Sequence, residues 1–151
     1  MIDPRRRGRY ERIYAQLADL CADSPTDVAK MATICAVLQA KMPHHSWTGF
    51  YLPARDGSLH VGPYQGAVAC QVLRGGGVCL RALETRAPVV VPDVHAFPGH
   101  IACDPRSRSE IVVPVLRGGE PFAVLDIDSH KVAQFDEDDI APLLRIVSLL
   151  H

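Results

Sequence analysis

Two turn signals constrain the middle of this chain more than anything else in it. Asp56-Gly57 separates the aromatic-rich run 47–52 from the run 59–61, and Gly118-Gly119 separates 111–116 from 121–127. Glycine between two strand-like runs marks a β-hairpin, because tight hairpin turns need positive φ, which glycine adopts without strain. Val89-Val90-Val91 reads as a further short buried strand. Gly75-Gly76-Gly77 breaks the chain ahead of a short helix over 78–86. Strands joined by short turns favour an antiparallel sheet, with helices packed on one face: an α+β domain.

The flanks read as helical. Tyr10, Ile13, Tyr14, Leu17, Leu20 and Cys21 recur at helical spacing. Ser24-Pro25-Thr26-Asp27 reads as a start signal, with Ser24 as N-cap and Pro25 at the first position. The second helix carries Val28, Met31, Ala32, Cys35 and Leu38 and ends before Pro43. Residues 136–151 read as a C-terminal helix whose first turn holds Asp136, Glu137, Asp138 and Asp139, where the positive helix end favours carboxylates. A chain of 151 residues suits one domain over 1–151. Its parts are a helical N-terminal segment (about 5–42), the sheet with a long loop (about 46–130) and the final helix.

Charge and cysteine usage exclude several classes. Sixteen Lys and Arg stand against 17 Asp and Glu, a net charge of −1, which argues against a nucleic-acid or acidic-membrane footprint. Arg5-Arg6-Arg7-Gly8-Arg9 reads as a short solvated tail. No apolar run reaches the ~18 residues of a membrane span, and no signal-peptide core follows Met1, so the expected setting is a reducing cytoplasm. The five cysteines are odd in number and dispersed, which suits core packing, metal ligation or redox chemistry rather than a disulfide scaffold. Cys21 and Cys35 fall on helical stripes and read as core.

Three features can carry chemistry. The stretch between Pro92 and Ser109 holds three prolines, two histidines and Cys103, and is a long irregular loop. His95 or His100, as a cation, would lower the pKa of a nearby thiol. Cys70 and Cys79 flank the glycine run, whose flexibility could let one thiol swing to a third. Zinc is the competing reading, with Cys70, Cys79, Cys103, His95 and His100 as possible ligands, although no Cys-x-x-Cys knuckle is present. Next, Asp126 and Asp128 share one strand face, roughly 7 Å apart, continuing the face of Phe122 and Val124, with Glu110 on the neighbouring strand. Clustered carboxylates retain a proton and can bind an ammonium group; a strand end emerging into solvent is the plainer alternative. Finally, Trp47 and Tyr51 share a face, roughly 13 Å apart along the strand, with a gap over Gly49 that a small apolar group could fill. Core packing is the plainer alternative there.

Taken together, Trp47-Thr48-Gly49-Phe50-Tyr51-Leu52, Val61-Gly62-Pro63-Tyr64-Gln65-Gly66, Ala69-Cys70, Gly77-Val78-Cys79, the stretch 91–104, Ser109-Glu110-Ile111-Val112-Val113-Pro114 and Val124-Leu125-Asp126-Ile127-Asp128-Ser129 resemble the free methionine-(R)-sulfoxide reductases. These are single-domain members of the GAF fold. The resemblance implies a homodimer that reduces the R epimer of free methionine sulfoxide, with thioredoxin as external reductant and no bound cofactor or metal. It implies Cys103 as the attacking cysteine, Cys70 as the main resolving one and Cys79 as the second candidate. Trp47 and Tyr51 would hold the substrate methyl, and Glu110, Asp126 and Asp128 would surround its ammonium and sulfoxide groups. The segment from Cys70 to Cys79 is one residue shorter than the family pattern, and Leu80 stands where the family commonly has glycine. The alternative within the same fold is a non-catalytic sensor of a small ligand or of redox state. Phe135-Asp136-Glu137 is similar to the acidic motif of nucleotide-binding GAF domains, but helix capping accounts for it. A zinc-binding structural protein is the third reading.

Overall fold

In the computed structural model of the chain, residues 3–100 and 103–151 are described; Ile101 and Ala102 of the loop motif lie outside them. Helix α1 spans Pro4–Cys21, with Asp3 as N-cap and Pro4 at the first position, where its missing N–H has no consequence. It buries Tyr10, Ile13, Leu17 and Cys21 and leaves Leu20 exposed. Helix α2, Asp27–Lys41, starts two residues later than the Ser24 reading implies. Thr26 is its cap, extended at φ −142°, and its Oγ1 accepts from Ala29 N at 3.1 Å. Pro25 therefore precedes the cap. The buried face of α2 is Met31, Ile34, Cys35, Val37 and Leu38, rotated away from Val28 and Ala32, which are exposed.

Six strands follow: β1 (Trp47–Pro53), β2 (Leu59–Gly66), β3 (Val72–Leu73), β4 (Val89–Val91), β5 (Ser109–Arg117) and β6 (Glu120–Ser129). They form one antiparallel sheet in the order β3-β2-β1-β6-β5-β4. Both expected hairpins are present, and the two-residue β3 adds an edge that its sequence does not announce. Alternation along the central strands divides them between two cores. Ala123, Leu125 and Ile127 of β6 join Phe50, Ile111 and Val113 under α1, α2 and α4 (Ile140–Val147). Val124 and Val112 face the other way, with Trp47 and Tyr51, under α3 (Val78–Thr85). The fold is thus α+β, with three helices on one face as expected. The short α3 and the long loop lie on the opposite face, where the candidate site forms.

The C-terminal segment is broken rather than one helix over 136–151. A 3-10 turn over Glu137–Asp139 precedes α4, and another over Ser148–Leu150 follows it. Asp136 and Asp139 cap each other's backbone in a reciprocal box, which supports the capping reading of this motif. Asp139 is buried, and its Oδ1 accepts from the Tyr10 hydroxyl at 2.8 Å. Arg6 pairs with Asp136 at 3.0 Å and Asp139 at 3.1 Å. The basic run is therefore part of a helix and Arg6 is tied down, while Arg5 and Arg7 are exposed to solvent as expected. Helical phase puts Arg6 and Tyr10, four residues apart, on the face that meets Asp139. Among the described residues no helix is long and apolar enough to cross a membrane.

Candidate active site

The floor of the site comes from strand register. Asp128 is paired with Glu110 on β5 and with Trp47 on β1, and Asp126 with Val112 and Gly49. Two adjacent strands, β5 and β6, thus deliver Glu110, Asp126 and Asp128 to the α3 face, with Trp47 of β1 alongside. Glu110 and Asp126 are each 5% exposed, so the emerging-strand alternative does not hold. All three carboxyl groups titrate above their ordinary range: burial is the main cause, and mutual repulsion adds to it for Glu110 and Asp128. Like charges this close resist joint ionisation, so the cluster keeps proton-bearing carboxyls at pH values where an exposed carboxylate is fully ionised. Asp126 Oδ1 is buried without a hydrogen-bond partner. Phe122 does not continue this face. A register shift between Val115 and Leu116 turns the strand, and Phe122 packs toward the other core with the Arg117 guanidinium 3.8 Å over its ring.

One wall is aromatic, but its geometry differs from the expected gap. The Trp47 and Tyr51 ring centres are 5.8 Å apart, and Tyr64 stacks on Trp47 at 5.3 Å. The Trp47 ring itself lies across Gly49. A Cβ added there would clash with Trp47 Cη2 and Cζ3 and lie 2.5 Å from Tyr64 Cβ. The space over Gly49 is therefore filled from within, because a large ring at the strand end leans along the strand. Both aromatics also fix the following loop. Trp47 Nε1 donates to Ala67 O and the Tyr51 hydroxyl to Cys70 O, each at 3.1 Å.

Cys70 and Cys103 are joined by a disulfide at the pocket wall, with Cα atoms 5.5 Å apart. The glycine run that follows Cys70 adopts positive φ at Gly75, Gly76 and Gly77 (73°, 129° and 98°), a path closed to most side chains. It leads straight into α3, where Cys79 is buried as a free thiol. Burial and the neighbouring Asp126 and Glu110 push that thiol well up, so it stays protonated. Cys21 and Cys35 are buried free thiols, Cys35 pushed up to about 12 by burial, in line with a core role. In this oxidised form Cys70 and Cys103 cannot serve as zinc ligands. His95 is exposed and outside the pocket lining. His100 does line the pocket, its Nδ1 4.0 Å from Glu110 Oε1. Burial lowers its pKa, so it is mainly neutral at pH 7 and is not the cation expected beside the thiol.

The cavity enclosed by these walls is small, about 50 Å³, and Cys79, Cys103, Glu110, Asp126 and Asp128 all line it. Sequence reasoning missed Asp104. It pairs with Arg106 at 3.1 Å and lies 3.4 Å from His130, fastening the residue after Cys103 to the end of β6. The Asp-Pro-Arg turn sequence was the available signal.

A six-stranded antiparallel sheet with helices on both faces and a pocket between α3 and the long loop defines a GAF-domain protein, and the GAF domain family matches residues 28–150. The free methionine-R-sulfoxide reductase of Escherichia coli is 39% identical over 133 residues, which is 87% of this chain and 80% of that protein. The structure of the Neisseria meningitidis free methionine-R-sulfoxide reductase in complex with its substrate superposes with a TM-score of 0.90 at 42% identity, covering 93% of this chain and 85% of that one. A putative GAF sensor protein from Burkholderia vietnamiensis superposes at 0.88 with 39% identity, covering 95% and 91%. The chain belongs to the free methionine-(R)-sulfoxide reductases, a family of oxidoreductases acting on sulfur.

Proposed function

We propose that the protein reduces free L-methionine (R)-sulfoxide to methionine, with thioredoxin as the electron donor. The observation that carries this reading is the Cys70–Cys103 disulfide beside a pocket floored by three proton-retaining carboxyl groups. The Cys103 thiolate attacks the sulfoxide sulfur. A carboxylic acid of the Glu110, Asp126, Asp128 cluster protonates the departing oxygen, which is a poor leaving group otherwise. Methionine leaves, and Cys103 carries the oxygen as a sulfenic acid. The Cys70 thiol then condenses with it, expelling water and forming the disulfide. A dithiol reductant returns both cysteines to thiols and becomes a disulfide itself. Cys70 is the preferred resolving residue, since Cys79 is buried and held protonated.

The remaining assignments follow the same logic. A carboxylate of the cluster, Asp126 with its unpartnered Oδ1 in particular, meets the substrate ammonium. Trp47 and Tyr51 border the sulfoxide methyl, beside the ring stack rather than over Gly49. No metal or bound cofactor enters any step. Reduction by thioredoxin places the protein in the cytoplasm, and the homodimer implied by the resemblance belongs to the same proposal. The supporting experiment is NADPH oxidation in a thioredoxin-coupled assay with separate R and S epimers of the free amino acid. Turnover of R alone, lost in Cys103→Ser, supports the proposal; equal turnover of both epimers or of neither overturns it. A GAF sensor of the same shape needs neither a pocket disulfide nor a proton donor.

A further inference from the structure

The mechanism above leaves Cys79 without a task, although it stands where the acidic floor meets α3. One ligand atom each from Cys79, Glu110 and Asp126 lie within 4.8 Å of one another, and all three residues are buried. Two further observations point to a bound cation there. Asp126 Oδ1, on a residue 5% exposed, has no hydrogen-bond partner. The three side chains also border the same cavity rather than being sealed in the core, so an ion has a way in. His100 borders the same cavity, its Nδ1 4.0 Å from Glu110 Oε1.

We propose that Cys79, Glu110 and Asp126 form a site for a thiophilic divalent cation, Zn²⁺ above all, at the floor of the pocket. One sulfur with two carboxylate oxygens is a borderline-soft donor set, which selects Zn²⁺ over Mg²⁺ or Ca²⁺ and leaves a fourth position for water. Zinc holds sulfur at about 2.3 Å and oxygen at about 2.0–2.2 Å, so tetrahedral ligands stand roughly 3.5 Å apart. The three atoms close to that spacing by side-chain movements of the order of 1 Å. The ion enters as Zn²⁺ and the protons it displaces leave to solvent, with no change of oxidation state. Ion and substrate ammonium then compete for the same carboxylate oxygens, so Zn²⁺ acts as a reversible inhibitor. That last consequence rests on the proposed function; the binding itself does not.

The test uses the metal-stripped protein with its Cys70–Cys103 disulfide intact, titrated with Co²⁺ and then with Zn²⁺. We expect one Co²⁺ per chain with a near-ultraviolet thiolate-to-cobalt band, bleached by Zn²⁺. The band is absent in Cys79→Ala, and affinity falls at least tenfold in Asp126→Asn. Absence of the band from the parent protein overturns the proposal without reference to any variant. So does a band that survives in a Cys79→Ala protein with the parent's near-ultraviolet circular dichroism. Loss of the Cys70–Cys103 chemistry would leave this spectrum untouched, so the metal site and the reductase reading fail separately.

Discussion

Replacing Gly49 with alanine tests the aromatic wall at its tightest point. Gly49 is not among the positive-φ residues, so alanine meets no backbone penalty and the cost is one of space. The added methyl would clash with the edge of the Trp47 ring and lie 2.5 Å from Tyr64 Cβ, which belongs to the backbone-proximal part of that residue and cannot swing away. Trp47 must therefore move. It then gives up its stacks on Tyr51 and Tyr64, each about 0.5–1.5 kcal/mol, and its bond to Ala67 O, about 1 kcal/mol. Alanine recovers about 0.5–1 kcal/mol through the smaller entropy of its unfolded chain. The net destabilisation is about 2 kcal/mol, and for a domain of this size that lowers Tm by roughly 4–8 °C. Trp47 is the sole tryptophan, so its fluorescence reports the ring directly while circular dichroism follows the melt. A Gly49→Ala protein that melts within 1 °C of the parent, with unchanged tryptophan emission, would refute the geometry of this wall.

Other expectations follow from the buried charges and thiols. Glu110 titrates above its ordinary value in the folded state, so folding binds protons there, and its contribution to stability declines as pH rises from about 4 toward the raised value. Glu110→Gln should flatten that decline and raise Tm at pH 7–8, while turnover falls roughly tenfold or more. Melting curves that keep the parent's pH slope would contradict the assignment. Cys70→Ser should still release methionine in a single turnover but should cycle poorly with thioredoxin. Peptide mass spectrometry should find Cys103 as a sulfenic acid, and steady-state cycling at the parent rate would mean that Cys79 resolves. Tyr10→Phe removes the donor to buried Asp139 Oδ1 and should cost about 1–3 kcal/mol in denaturant unfolding. A change below 0.5 kcal/mol would show that the α1–α4 contact does not depend on it.

What the sequence discloses follows the range of each signal. Hairpins were legible because Asp56-Gly57 and Gly118-Gly119 act within four residues, and the period of two then placed Asp126 and Asp128 on one face. Glu110 could be added only as a neighbour, since register between strands is a tertiary fact. Helix starts were read less well. Ser24 and Thr26 are both good caps, and nothing local reveals that Thr26 is the one that reaches Ala29 N. Arg6 looked solvated because its partners, Asp136 and Asp139, lie 130 or more residues away. The choice between Cys70 and Cys79 was open for a similar reason. Both flank the glycines at equal ease, and only the path of Gly75-Gly76-Gly77 into α3 buries one and leaves the other beside Cys103. The Trp47 ring over Gly49 was missed because strand spacing positions Cα atoms, while the lean of a large ring depends on Tyr64 from the next strand.

The most direct test of the account needs no electron donor. Fully reduced protein is mixed with an excess of free methionine (R)-sulfoxide, quenched, and analysed for methionine and for the peptide joining Cys70 to Cys103. The account predicts one methionine per chain together with one Cys70–Cys103 disulfide, none from the S epimer and none from Cys103→Ser. Methionine release that is equal for the two epimers, or undiminished in Cys103→Ser, would contradict it.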